Sequence, residues 1–103
     1  MLFRSPTAEE IAATELAELN KAAKEAKILA LNTITVTTSN GSTFDGHLDA
    51  RVNMSNAIDA SEFLGQTEAF WKMADNSVKL VQLPELKEAL VLAIQRVGEI
   101  VIA

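Results

Sequence analysis

A chain of 103 residues is long enough for one domain with a modest core and too short for two. It contains no cysteine, so disulfides, thiolate catalysis and cysteine-ligated metal centres are excluded. The formal net charge is −5 without a Lys/Arg cluster, which argues against nucleic-acid binding because that affinity comes from neutralising phosphates. No segment approaches the ~20 apolar residues of a membrane span, and residues 1–6 lack a signal-peptide core. We therefore expect no membrane contact, and synthesis and residence in a bacterial-type cytoplasm or export only as part of a particle.

The first predicted element is one long helix over residues 5–31. Ser5 followed by Pro6 is a helix-start signature, and Thr7 with Glu10 makes an alternative capping box. Asn32 can end the helix. Apolar residues recur along it at alternating spacings of four and three, and we call this heptad-like pattern the seam: Ala12, Leu16, Leu19, Ala23, Ala26 and Ala30.

Two interpretations of this helix are open. As a packing arm it would cover the chain's own core, as ordinary amphipathic helices do. As an association or docking arm it would be completed by a neighbouring chain. The long uninterrupted pattern and the narrow, alanine-rich seam favour association, because such a seam buries little area within one chain. Four seam residues are therefore candidate protein-interface residues: Leu16, Leu19, Ala23 and Ala26.

A β-hairpin is predicted after the first helix. Residues 33–38 alternate polar and apolar side chains and are β-branched throughout, which predicts a strand. Asn40 followed by Gly41 is a strong hairpin-turn signal, and a short second arm follows over residues 42–44. We expect Phe44 to turn inward as an anchor.

Helical spacing returns from Leu48 to Leu64, and Gly65 is placed to terminate that helix. Asp45 or Asp49 is expected to cap its start, since aspartate is a preferred residue there. Six apolar residues supply the predicted inward face: Val52, Met54, Ala57, Ile58, Phe63 and Leu64.

Residues 70–81 predict a second hairpin with its turn at Asp75 and Asn76. Four apolar residues are spaced by two along the arms and predict one apolar face: Trp71, Met73, Val78 and Leu80. Lys72 and Lys79 would then alternate outward. Trp71 can be a plug between this hairpin and the helices or an exposed anchor for a partner, and the usual burial of large aromatic side chains favours the plug.

A last helix is predicted to begin around Leu83 and Pro84, because proline is tolerated in a first turn. Its inward face carries apolar residues at helical spacing: Leu83, Leu86, Ala89, Leu90, Ala93, Ile94 and Val97. Gly98 is a weak point in this helix. The apolar run behind it either finishes the domain's own core or contacts another chain, and it adds three candidate interface residues: Ile100, Val101 and Ile102.

Together these elements predict an α+β fold: a long N-terminal helix followed by β-hairpin, helix, β-hairpin and helix. The helices would cover a small antiparallel sheet into which the four strands can join. Residues 1–32 form an arm for packing or oligomer contact, and residues 33–103 form a small α+β domain. Five residues are expected in the structural core: Phe44, Ile58, Trp71, Leu86 and Leu90.

Reactive side chains are sparse. The single histidine, His47, lies between Asp45 and Asp49, where a metal site competes with the more ordinary interpretation as a helix-start loop or cap. No serine lies in the Gly-x-Ser-x-Gly turn that presents a hydrolase nucleophile. Two carboxylate pairs are interpreted as solvated helix surface: Glu9 with Glu10, and Glu85 with Glu88. We predict no enzymatic activity, no metal or other cofactor, and no small-molecule substrate.

Four segments occur in a recognisable order: residues 41–45, 51–58, 71–76 and 85–90. In this order they resemble a small domain of unknown function found in tail proteins of tailed bacteriophages and prophages, often near tail-fibre genes. The resemblance spans residues 33–103, and its most specific piece is the Trp-Lys-x-Ala-Asp-Asn hairpin of residues 71–76. One departure is Gln82, where such domains often place a small hydroxyl cap before the last helix.

The resemblance implies a non-enzymatic structural or assembly component of a tailed-phage virion, located in the tail or tail-fibre region and made in the host cytoplasm. Its partners would be other phage structural proteins and further copies of itself, since closed homo-oligomers are common among protein assemblies. The alternative is a tail-fibre assembly chaperone that is absent from the finished particle. A small enzyme or ligand-binding domain is a third hypothesis, which no convergent polar site supports.

Overall fold

The computed structural model of the chain describes residues 7–103. Its elements, in order, are α1 (Ala8–Asn32), β1 (Thr35–Thr37), β2 (Thr43–Asp45), α2 (Leu48–Leu64), β3 (Glu68–Lys72), β4 (Val78–Gln82) and α3 (Leu83–Ile102). The predicted α+β order of helix, hairpin, helix, hairpin, helix is confirmed. The helix-start signature predicted at Ser5 and Pro6 lies outside the described residues.

Helix α1 begins at the capping box that the sequence predicts. The hydroxyl of Thr7 accepts a hydrogen bond from the backbone N–H of Glu10 at 3.1 Å, and the Glu10 carboxylate accepts from the N–H of Thr7 at 3.4 Å. Both bonds satisfy N–H groups that have no partner inside a helix. The helix runs without interruption for 25 residues, which corresponds to about 37 Å.

The first hairpin pairs Val36 with Phe44, and both side chains are buried. Its turn is longer than a two-residue Asn-Gly turn. The backbone N–H of Thr38 donates to the carbonyl of Ser42 at 2.9 Å, which encloses three residues, and Gly41 has a φ of +90°. A three-residue loop with glycine in a left-handed position is the next most common way to close a hairpin.

Helix α2 has the predicted bounds but a different cap. The imidazole Nδ1 of His47, and neither Asp45 nor Asp49, accepts the N–H of Ala50 at 3.3 Å, since His47 is the last extended residue before the helix. Gly65 ends the helix in a left-handed conformation with a φ of +69°, as predicted. Its inward face is narrower than predicted. Met54 and Ile58 are buried, whereas three residues are exposed: Val52, Phe63 and Leu64.

The second hairpin places its apolar residues on two opposite faces. In its register Trp71 lies opposite Lys79, and Phe70 lies opposite Leu80. Because directly opposed residues share a face, Trp71 is grouped with Lys79, while Leu80 joins Phe70 on the outer face. The prediction of one apolar face is therefore wrong: both Val78 and Leu80 are exposed. Five residues separate the paired residues Lys72 and Val78. Because this number is odd, Val78 and Leu80 lie on the face opposite to Trp71. The spacing of apolar residues within one arm does not show how the faces of the two arms combine.

The four strands form two separate two-stranded antiparallel sheets and do not join into one. A single bond between backbones links the hairpins, from the N–H of Ala74 to the carbonyl of Thr43 at 3.1 Å. Each hairpin instead packs on helices, which supplies the apolar cover that an isolated hairpin lacks.

Helix α3 lies at the centre of the core, where it contacts α1, α2, β1 and β4. Among the largest side chains, Phe44, Met54 and Leu86 are fully buried, and Ile58 is buried with them. Trp71 and Leu90 pack against this cluster but are only partly buried. Ile94, predicted to face inward, is exposed because it lies at the edge of the α3 stripe whose centre is buried as Leu86, Ala93 and Ile100.

Glu85 and Glu88 are not free surface charges, contrary to the prediction. The Glu85 carboxylate accepts hydrogen bonds from the hydroxyl of Thr38 at 2.9 Å and the amide of Asn40 at 3.0 Å. Glu88 accepts from the backbone N–H and the hydroxyl of Ser39, the latter at 2.9 Å. The first turns of α3 therefore hold the turn of the first hairpin in place through charged acceptors.

Candidate interaction surface

His47 occupies a structural position. Its Nδ1 atom is engaged as the α2 cap, and the ring lines a shallow depression of about 460 Å³. The depression is lined by Asp45, His47, Ala50, Asn53, Trp71 and Lys72. Within residues 7–103, no three His, Asp or Glu side chains are gathered in a way that could hold a metal ion. The role that the structure shows for His47 is that of the α2 cap.

The carboxyl group of Asp75, in the turn of the second hairpin, accepts two hydrogen bonds. The hydroxyl of Ser77 donates to its Oδ1 atom at 2.5 Å, and the backbone N–H of Ser77 donates at 2.9 Å. These bonds favour the charged form and hold the pKa of Asp75 below its ordinary value, with a smaller contribution from Lys79. This is turn chemistry at a fully exposed position.

The most unusual surface of the molecule is the first part of α1. Every residue from 8 to 26 is exposed, and we call this segment the free arm. Within it Leu16 is 59% exposed and Leu19 is 68% exposed. The Cα radius of gyration is 21.0 Å, against about 13 Å for a compact domain of this length, and the molecule is 74 Å long but only 25 Å wide. The free arm therefore projects away from the rest of the chain.

The base of α1 is attached to the end of α3. Ala30 and Leu31 pack against the core cluster, and the ammonium of Lys27 donates to the backbone carbonyl of Val101 at 3.4 Å. Ala30 is the last residue of the seam, so the helix face that meets α3 at the base is the same face that carries Leu16 and Leu19 further out. One continuous face is thus covered at one end and open along the free arm.

The C-terminal apolar run, residues 100–102, was predicted either to finish the chain's own core or to contact another chain, and its residues differ in burial. Ile100 is buried in the chain's own core and is not available to a partner, which corrects its assignment as an interface residue. Val101 and Ile102 are exposed, the latter at 85%, and the backbone carbonyl of Val101 contacts the base of α1 through Lys27. Helix α3 continues through Gly98 to Ile102, so the run is helical and its faces differ in burial.

A second apolar surface was not predicted. Phe70, Val78 and Leu80 share the outer face of the second hairpin, and all three are exposed. At the end of α2, Phe63 is 91% exposed. The cross-strand register could have revealed the hairpin surface. Phe70 and Leu80 are recognised as neighbours only when five residues are assigned to the turn between the two strands.

No helix in the described part of the chain combines the length and apolar character needed to cross a bilayer. Comparisons with protein-family models, curated proteins and solved structures find no match to this chain. The candidate site is therefore defined by geometry alone: an exposed helical arm, a pair of exposed apolar residues near its base, and an apolar hairpin face.

Proposed function

We propose that this protein is a non-enzymatic structural or assembly component that acts through protein–protein contacts, with the free arm as its main contact surface. The observation that carries the proposal is the exposure of Leu16 and Leu19 on a helix that projects from a well-packed body. Large apolar side chains presented along one helix face are a common recognition element, because a partner can bury them at i, i+3 and i+4 spacing.

The helix itself supports this role. A helix segment without tertiary contacts is marginal in water unless its own sequence favours helix, and the free arm is alanine-rich and begins with a capping box. The free arm can therefore remain helical in the absence of a bound partner. The contact surface is then largely preformed, which lowers the entropy cost of binding.

The biological setting that we propose is the tail region of a tailed-bacteriophage virion, assembled in the host cytoplasm. Its support is the resemblance carried by residues 41–45, 51–58, 71–76 and 85–90. The partners would be other phage structural proteins and further copies of the chain.

The test uses particles purified from the cells that encode the protein. A structural component should be present at fixed stoichiometry after density-gradient purification and quantitative mass spectrometry. A tail-fibre assembly chaperone would be found in the lysate and missing from the particles. Absence from both particles and their assembly intermediates would overturn the proposal in either form.

The arm is tested in the same preparation with Leu16→Gln and Leu19→Gln together. Glutamine keeps a high helix propensity and removes the apolar contact, so incorporation into particles or intermediates should fall by about tenfold or more. Leu29→Gln is the control, because Leu29 is also an exposed leucine of α1 but lies outside the free arm and about 100° around the helix from the centre of the seam. Equal loss in both variants would contradict the role of this face.

A further inference from the structure

We propose that the occupant of the free arm is the free arm of a second copy of this chain, bound antiparallel. The inference deepens the proposed contact function and rests on it. It is carried by three features of α1: the arrangement of large and small residues along the seam, the separation of charge along the helix, and the way that α3 covers its base.

The first feature is the symmetry of the seam. Within the free arm the two leucines, Leu16 and Leu19, lie at the middle, and alanines lie outside them. Reversing a second arm about the point between the leucines places Leu16 opposite Leu19 of the second copy. The same operation places Ala12 opposite Ala23 of the second copy, so large residues meet at the centre and small residues let the helices approach on either side.

The second feature is charge. Glutamates occupy the first half of α1 and lysines the second half, with one further glutamate among them: Glu9, Glu10, Glu15, Glu18, then Lys21, Lys24, Glu25 and Lys27. An antiparallel pair brings the acidic half of one arm beside the basic half of the other. A parallel pair brings like charges together, which is unfavourable along the whole contact. The one ion pair within these lysines, Lys21 with Glu25 at 4.0 Å, is exposed and weak.

The third feature is the position of α3. The seam face is covered from Lys27 onward by the end of α3, so a partner helix can lie only along residues 8–26. In the antiparallel register described above, residue 8 of the second copy lies level with residue 27, where the covered part begins. The two bodies then lie at opposite ends of the helix pair, whereas a parallel pair would bring them side by side at the same end.

The absence of native cysteine makes a direct test possible. Three single variants, Ala12→Cys, Ala23→Cys and Ala17→Cys, and the double variant Ala12→Cys/Ala23→Cys are oxidised as purified full-length chains and run on non-reducing gels. All the substituted alanines are exposed, so the body should be unaffected. In the antiparallel pair, equivalent residues at position 12 are separated along the axis by about 16 Å, beyond the roughly 7 Å that a disulfide spans between Cα atoms.

The expected result is a disulfide-linked dimer in most of the double variant and at least about tenfold less in either single variant. Ala17 lies near the centre of the arm on the far side from the seam, so Ala17→Cys measures random collision and should also give little dimer. Efficient cross-linking of both single variants at positions 12 and 23 would show a parallel pair and overturn the inference. Cross-linking of Ala17→Cys equal to the double variant would overturn it too.

Failure of this inference is distinguishable from failure of the proposed function. If light scattering shows a monomer and no cysteine variant is cross-linked, the free arm does not bind the free arm of a second copy. Should the Leu16→Gln/Leu19→Gln variant still be lost selectively from particles, the contact function stands with a different partner. Retention of that variant together with a monomeric chain would remove both.

Discussion

Helices α1 and α3 are both long and both carry apolar residues at helical spacing, yet the chain uses them in opposite ways. Five residues of α3 are buried, and it contacts both other helices and a strand of each hairpin. In α1, which is described over its full length from Ala8 to Asn32, none is buried. Helical periodicity therefore indicates that one face of a helix is apolar. The way that the helix is connected to the other elements decides whether those elements can cover that face.

The connections differ in a simple way. Helix α3 begins directly at Leu83 after the last strand residue, Gln82, so its first turns are placed on the core at once. Within residues 7–103, helix α1 is connected to the other elements through its C-terminal end, and its length of about 37 Å exceeds the 25 Å width of the molecule. The residues of α1 that pack against the core cluster, Ala30 and Leu31, lie next to that connection.

The largest effect is expected from Leu86→Ala in the buried face of α3. Leu86 is fully buried, so its truncation should lower the free energy of unfolding by about 2–5 kcal/mol. Urea unfolding followed by Trp71 fluorescence measures this. Val91→Ala, on the exposed side of the same helix, is the control and should change that energy by about 0.5 kcal/mol or less. Similar losses in both variants would contradict the burial difference within α3.

The next effect is expected from Gly46→Ala, where β2 approaches α3. A Cβ atom at Gly46 would lie 2.6 Å from Ile34 Cγ2 and 3.0 Å from Ala93 Cβ, so the packing must shift at a cost of about 1–3 kcal/mol. Gly98→Ala is the opposite control, because a Cβ there meets open space inside a helix and should stabilise the protein by about 0.5–1 kcal/mol. Thermal unfolding of the pair should give shifts of opposite sign, and shifts of the same sign would contradict the packing around Gly46.

A smaller and local effect is expected from Thr7→Ala at the start of α1. Loss of the cap costs about 1 kcal/mol of helix stability, so amide exchange in the first turns should accelerate and circular dichroism at 222 nm should weaken. The urea midpoint reported by Trp71 should stay unchanged, since the residues of the free arm are all exposed and the cap lies at the end of the arm that is farther from the core. Thr14→Ala is the control, because its hydroxyl bonds only to the preceding turn and alanine is the better helix former. A lowered midpoint in Thr7→Ala would show that the arm and the body unfold together.

The smallest effect is expected from Asp75→Asn in the exposed turn. The pKa of Asp75 is lower in the folded chain than its ordinary value of 3.8, so its contribution to stability is complete above about pH 4 and disappears as the pH falls through the folded pKa. The variant should therefore have a slightly lower urea midpoint at pH 7 and the same midpoint as the parent at pH 2. A difference that grows toward acid would contradict this sign.

The sequence predicts the order of the elements, the position of the first hairpin turn near Gly41 and the end of α2 at Gly65. Each of these features depends on residues that are neighbours in the sequence. The strand register of the second hairpin could not be predicted, since Val78 and Leu80 take their face from the turn length. Likewise Glu85 and Glu88 resemble any solvated helix charge until the Ser39 turn is brought beside them. Their role depends on contacts between residues more than forty positions apart.

For the candidate surface, the sequence shows which residues are apolar but not which of them are buried. Leu16 and Ile100 are both apolar residues at helical spacing, but Leu16 is exposed and Ile100 is buried. The difference arises because the end of α3 folds back against the base of α1, where Ile100 faces the core cluster. A pattern read within one helix contains no information about such a contact.

The attachment of α1 through Lys27, Ala30 and Leu31 has a mechanical consequence. The free arm behaves as a lever of about 28 Å fixed at one short joint, so a tilt of roughly 10° at that joint carries its tip through about 5 Å. If a partner binds the free arm as proposed, a tilt of that size changes the distance between the partner and the rest of this chain by the same amount of about 5 Å.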